Sequence, residues 1–306
     1  MIANRNAFGE TILELAQQDE RVVVVDSDAS SCMGLGPFIE KFPERHFECG
    51  IAEQNMIGVA AGLSTCGLTV FCGTFAVFAG SRALDQVRNA VCYNHFNVKI
   101  AGTHAGVETG PDGGTHQALE DIAVFRSLPG IRLFVPATPL STRALTRIMY
   151  GEYGPFYIRM GREPMPELYD EKAHFRLGGS NVLKQGSDAA ILACGNMVCV
   201  ALEAAQALEK RGVKARVVDM YCLKPIDEEA IVSAAKETGH IFTVEDHSVI
   251  GGLGGAVSEV LADRFPARVT RIGIPDVFGR SGTVRELNEH FGLTSDAIVK
   301  KVLEIG

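Results

Sequence analysis

The sequence predicts an α/β protein of two domains, each a mostly parallel sheet with helices on both faces. Three observations predict it. Strand-like β-branched runs alternate with helix-like stretches along the chain, and the alternation lapses only between Gly161 and Gly178. The length, 306 residues, is about twice that of an ordinary single domain. The 33 glycines suit the tight turns of α/β folds better than a helical bundle.

Residues 7–18 carry apolar positions at helical spacing, and the run Arg-Val-Val-Val-Val-Asp at 21–26 follows as a buried strand. Residues 51–64, rich in alanine and glycine, suit a helix packed closely on its neighbours. A strand at 68–72, a helix at 81–93 and a strand at 98–101 come next. The glycine-rich loop 102–116 leads to a helix at 119–126, a strand at 132–136, a helix at 140–151 and a strand at 155–159. Periodicity then dissolves around Pro164 and Pro166, which sets the boundaries: a first domain 1–165, a linker 166–179 and a second domain 180–306. In the second domain, strands at 189–193, 215–220, 240–245 and 268–272 alternate with helices at 198–211, 227–237 and 254–265. Paired helices over 283–305 close the chain.

A formal charge of −8 without a basic run argues against nucleic acid or an anionic membrane as the main partner. No apolar stretch approaches 18 residues, so no bilayer span is expected. The opening residues lack the layout of a signal peptide, which points to a cytoplasmic protein. None of the eight cysteines forms a C-x-x-C pair or stands near a histidine at zinc spacing, so free thiols in a reducing compartment are expected. The run Gly-Gly-Leu-Gly-Gly-Ala at 251–256 misses the G-x-G-x-x-G spacing and reads as a tight strand-to-helix turn without a ligand.

Three segments could carry chemistry. G-I-A-E-Q-N-M at 50–56 puts Glu53 at the start of a helix of small and apolar residues, where the helix dipole alone would favour it. The segment 73–80 places Phe75 and Phe78 among small residues after a strand, as an aromatic wall for a planar heterocycle or as ordinary core. Loop 102–116 brings His104, Glu108, Asp112 and His116 to a strand end, where parallel sheets place active sites. The two histidines lack i,i+4 spacing, so catalytic or substrate-binding groups are expected there and no metal ligands.

Together, G-I-A-E-Q-N-M, T-F-x-x-F and D-G-G-T-H-Q resemble the pyrimidine-binding domain of transketolase-type thiamine diphosphate enzymes, and residues 180–306 resemble the transketolase C-terminal domain. The resemblance implies that Glu53 hydrogen-bonds N1′ of the aminopyrimidine and so promotes loss of the thiazolium C2 proton. It implies that Phe75 and Phe78 border the pyrimidine, with Ser81 standing where a third aromatic is common. His104 and His116 correspond to histidines of the substrate channel, Asp112 to an aspartate on a sugar hydroxyl, and Arg5 and Arg159 to a pair of arginines on the substrate phosphate. An aspartate–serine pair of the family aligns ambiguously around Asp28, Ser31 and Cys32, and no role is assigned there.

The family's G-D-G motif for diphosphate and Mg²⁺ does not occur. The expectation is a split transketolase: this chain as C-terminal subunit, a separate N-terminal subunit holding Mg²⁺ and the cofactor diphosphate, an α₂β₂ assembly, and two-carbon ketol transfer between sugar phosphates only in the complex. Alternatives are a 1-deoxyxylulose-5-phosphate synthase-like enzyme, with pyruvate as donor; a 2-oxoacid dehydrogenase E1 beta-like subunit, with acyl transfer to a lipoyl domain; and a non-catalytic relative.

Overall fold

The computed structural model describes residues 1–305. It contains fourteen strands: β1 Ile2–Ala3, β2 Val22–Asp26, β3 His46–Glu48, β4 Thr69–Phe75, β5 Val98–Thr103, β6 Arg132–Phe134, β7 Phe156–Arg159, β8 Pro164–Met165, β9 Asn181–Lys184, β10 Ala189–Ala193, β11 Ala215–Asp219, β12 Cys222–Lys224, β13 His240–Ser248 and β14 Arg268–Ile274. All five residues of β2 are buried, as are all five of β10. A run buried on both faces in this way needs apolar cover above and below, which parallel strands between helix layers provide.

The first domain's sheet runs β12-β6-β7-β5-β4-β2-β3 and the second's β14-β13-β10-β11-β9. Both are parallel except at one edge, where β12 pairs antiparallel with β6 and β9 antiparallel with β11. A two-residue ladder, β1 against β8, ties the first residues of the chain to the segment just past β7. Helix Asn4–Gln18 buries Phe8 and Ile12, four apart on one face, and each contributes about 1.5–3 kcal/mol through burial. Helix Pro139–Gly151 starts with Thr138 and Ser141 bonding reciprocally to each other's backbone N–H. One apolar cluster contains Leu133 and Val135 of the first domain together with Cys194, Val218 and Met220 of the second.

Three features depart from the sequence expectation. Over 81–93, where one helix is expected, wide π-type turns at Phe78–Arg82 and Val87–Cys92 flank a single α-turn, Leu84–Gln86. The stretch of lost periodicity contributes β8. A strand numbered in the second domain, β12, completes the first domain's sheet. All eight cysteines are free; four are buried, three half-buried and Cys66 is exposed. Among the described residues no helix is long and apolar enough to cross a membrane.

Candidate active site

Strands β4, β5 and β7 are parallel neighbours, so their carboxyl ends open on one edge of the sheet, and there the loops collect the polar groups. Helix Glu53–Thr65 begins at this edge with an uncapped N-terminus, since Ala52 offers no side-chain acceptor. Glu53 is 2% exposed, yet among the described residues its carboxylate has one partner: Arg82 Nη1, at 3.1 and 2.9 Å from the two oxygens. Arg82 lies in the first π-type turn and its side chain is half exposed. That turn lays the guanidinium over the Phe78 ring, 4.5 Å from its centroid. The single cation covering the carboxylate is thus itself open to solvent. π-turns are uncommon and recur at functional sites.

Phe75 and Phe78, both half-buried, lie nearly parallel with centroids 5.9 Å apart. The His104 imidazole stacks on Phe75 at 4.2 Å, and His116 meets Phe75 and Phe78 edge-on at 6.2 and 5.4 Å. His104 is 4% exposed and holds φ at +54°, an unusual backbone for a buried non-glycine residue and the kind of strain found at functional sites. Burial lowers its pKa to about 4; the positive charges of Arg5 and Arg162 push the same way and Asp112 opposes them. At neutral pH the ring is therefore uncharged. Its Nδ1 lies 3.1 Å from Thr103 Oγ1, and His116 Nδ1 lies 3.0 Å from Thr115 Oγ1.

Arg5 stands in the first turn of helix Asn4–Gln18. Its Nη1 donates to the Ser31 carbonyl at 3.3 Å, while its Nε is buried without an acceptor among the described residues. An orphaned guanidinium donor at a polar edge suits an anionic ligand. Asp112 is exposed at the end of the turn Val107–Asp112.

Arg159 corrects the sequence expectation. It is 5% exposed and points into the protein: Nε donates to both oxygens of Asp121, at 3.0 and 2.9 Å, and Nη2 to the carbonyls of Ala118 and Asp246. Tyr157 Oη donates to the same aspartate at 2.7 Å. A guanidinium committed to a buried ion pair is not free for phosphate. Three residues on, Arg162 is exposed, lacks a carboxylate partner among the described residues, and lies close enough for its charge to lower the pKa of His104. The β1–β8 ladder brings the segment after Arg162 beside the start of the Arg5 helix. The sequence signal was the second arginine of R-M-G-R at 159–162, beyond the strand end and next to a glycine. For Arg82 the signal was its place four residues after Phe78.

Among the described residues, Asp26, His46 and Glu48 form a cluster with ligand-type atoms within 4.8 Å of one another. Its bonds are met internally: Asp26 takes His46 Nε2 and the Ala29 N–H, and Glu48 takes the N–H groups of Asp28 and Gly50. The glycine turn 251–255 is closed as well. The buried Glu245 carboxylate accepts from Leu253 N and Gly254 N, where an anion would otherwise sit, and a Cβ on Gly252 would stand 2.0 Å from it.

A buried carboxylate, two half-buried phenylalanine rings, a neutral histidine and arginines thus meet at one sheet edge of a two-domain α/β protein. The chain belongs to the transketolase family: the pyrimidine-binding domain of transketolase matches residues 1–167 and the transketolase C-terminal domain residues 178–298. It is 44% identical over 306 residues to one subunit of the apulose-4-phosphate transketolase of Phocaeicola vulgatus, covering 99% of this chain and 97% of that one. Rat transketolase is 37% identical over 305 residues, and there 98% of this chain spans 48% of the longer protein. A solved structure described as a split gene transketolase, inactive beta4 tetramer, superposes with a TM-score of 0.91 at 47% identity, covering 99% of this chain and 97% of that one.

Proposed function

We propose that the chain is the C-terminal subunit of a split transketolase. In complex with a separate N-terminal subunit it moves a two-carbon ketol unit from a ketose phosphate to an aldose phosphate. One observation carries the assignment: the chain matches a single transketolase subunit end to end while spanning about half of an intact transketolase. The similarity to a beta4 tetramer described as inactive supports a need for the partner.

The residues present fit the aminopyrimidine end of thiamine diphosphate. Glu53 offers a nearly buried acceptor whose one partner among the described residues is solvent-exposed, and Phe75 and Phe78 offer ring faces. When bound, the cofactor supplies the electron sink that holds the two-carbon unit between donor and acceptor. Glu53 would hold the pyrimidine ring, because each carboxylate oxygen keeps a free lone pair beside its contact with Arg82. His104, uncharged, can take a proton from a substrate hydroxyl at Nε2, the ring nitrogen facing away from Thr103, and return it. His116, edge-on to both phenylalanine rings, shares that role. Asp112 accepts from a sugar hydroxyl. Arg5 and Arg162, in place of Arg159, hold the phosphate through charge-assisted hydrogen bonds. The partner subunit holds Mg²⁺ and the diphosphate in an α₂β₂ heterotetramer, and the free thiols fit a cytoplasmic location.

The test is reconstitution with a partner chain carrying the G-D-G motif. Ketol transfer should require both chains, thiamine diphosphate and Mg²⁺; transfer by this chain alone, or none by the saturated mixture, refutes the proposal.

A further inference from the structure

Glu108 lies on the loop that carries His104, Asp112 and His116, yet it points away from them. It is 3% exposed. Its Oε2 accepts the backbone N–H groups of Arg162 at 2.5 Å and Glu163 at 2.9 Å, and its Oε1 accepts Asn196 Nδ2 at 2.7 Å. Asn196 belongs to the second domain, just ahead of helix Met197–Glu209, and also reaches Asp246, which in turn accepts the N–H of Val107. Gly161 has no room for a side chain, since a Cβ would stand 2.1 Å from Glu108 Oε2. Burial pushes the Glu108 pKa up to about 7, against its hydrogen bonds. A buried carboxyl is costly, and three N–H donors offset part of that cost.

Every one of these hydrogen bonds goes to the turn bearing Arg162 or to the other domain. Two backbone bonds, Met160 N to Gly102 O and Ala105 N to Met160 O, clasp the same turn to the His104 loop from the other side. We propose that Glu108 is a positioning residue for the substrate phosphate: it fixes Arg162 at a set distance from His104 and, through Asn196, brings the second domain into phosphate recognition. This rests on the assignment of Arg162 to the phosphate made above. A set spacing between the phosphate anchor and the histidine selects phosphorylated sugars of matching length over unphosphorylated ones.

The test uses the reconstituted complex and two donors, a ketose phosphate and an unphosphorylated α-hydroxyketone. Glu108→Gln should raise KM for the phosphorylated donor about five- to tenfold and leave kcat, and both constants for the other donor, within about twofold. Arg162→Ala should show the same selectivity, and the double variant should be no worse than Arg162→Ala alone, because the two act as a unit. The dissociation constant of an aldose phosphate for the cofactor-free assembly should rise in parallel, which needs no turnover. Asn196→Ala, a milder change from the second domain, should act in the same direction at about twofold and serves if Glu108 variants fail to fold. If Arg162→Ala impairs the phosphorylated donor while Glu108→Gln and Asn196→Ala spare it, or weaken both donors equally, the positioning role is refuted. If Arg162→Ala has no effect, the phosphate assignment itself falls.

Discussion

Replacing Arg159 by methionine separates a structural from a substrate-binding guanidinium. The substitution keeps volume but leaves the Asp121 carboxylate, 1% exposed, with Tyr157 Oη as its one remaining side-chain donor among the described residues and no compensating charge. Breaking a buried pair by removing one partner costs about 3–5 kcal/mol, because the other charge stays in low dielectric. At about 2 °C per kcal/mol for a chain of this size, the melting temperature should fall by about 6–10 °C. Part of the loss should return in Arg159→Met/Asp121→Asn, which removes the stranded charge. The assay is thermal unfolding by circular dichroism on the chain and the reconstituted complex, with KM for a ketose phosphate measured well below the transition. KM should stay within about twofold of the parent. An unchanged melting temperature with a tenfold rise in KM would refute the burial reasoning and return Arg159 to the phosphate.

Glu53→Gln should cut ketol transfer in the reconstituted complex by about 10³-fold while leaving assembly intact by size-exclusion chromatography; near-normal turnover would remove Glu53 from the chemistry. Asp219 bears on pH: burial raises its pKa from 3.8 to about 7, with Tyr169 Oη bonded to it at 2.5 Å. An acid whose folded pKa is raised contributes stability that is complete below its unfolded pKa and lost as pH rises to about 7. Asp219→Asn cannot titrate, so relative to the parent it should gain roughly 4 kcal/mol between pH 4 and pH 8. Urea midpoints at the two pH values check this, and a pH-independent difference would show that Asp219 ionises normally.

The strands easiest to read in the sequence were those whose burial on both faces writes itself as an unbroken apolar run. Residues 189–193 were expected as a strand and are one, and β2 differs from the expectation by one residue. Two- and three-residue strands such as β1, β8 and β12 leave no periodicity to detect, and their pairing is set by tertiary contacts. The π-type turns after Phe75 were invisible for a related reason: side-chain spacing at 81–93 suits an α-helix and does not register the widened turns at 78–82 and 87–92. At the site, residue types and order pointed to Glu53, Phe75, Phe78, His104 and His116, which the structure gathers at one edge. Sequence alone could not tell which of two arginines three apart turns inward. That depended on Asp121, 38 residues from Arg159 along the chain. Glu108 lay in plain sight within the loop, but its partner Asn196 is 88 residues away.

The pairing of β12 with β6 bears on how the molecule can be dissected. Cleaving in the stretch between the two family domains would strip the larger sheet of its outermost ribbon, because that ribbon is encoded more than forty residues further on. The amino-terminal fragment would then present the raw hydrogen-bonding rim of β6 to solvent, an invitation to stick to its neighbours. A fragment meant to stand alone must carry residues 222–224 with it.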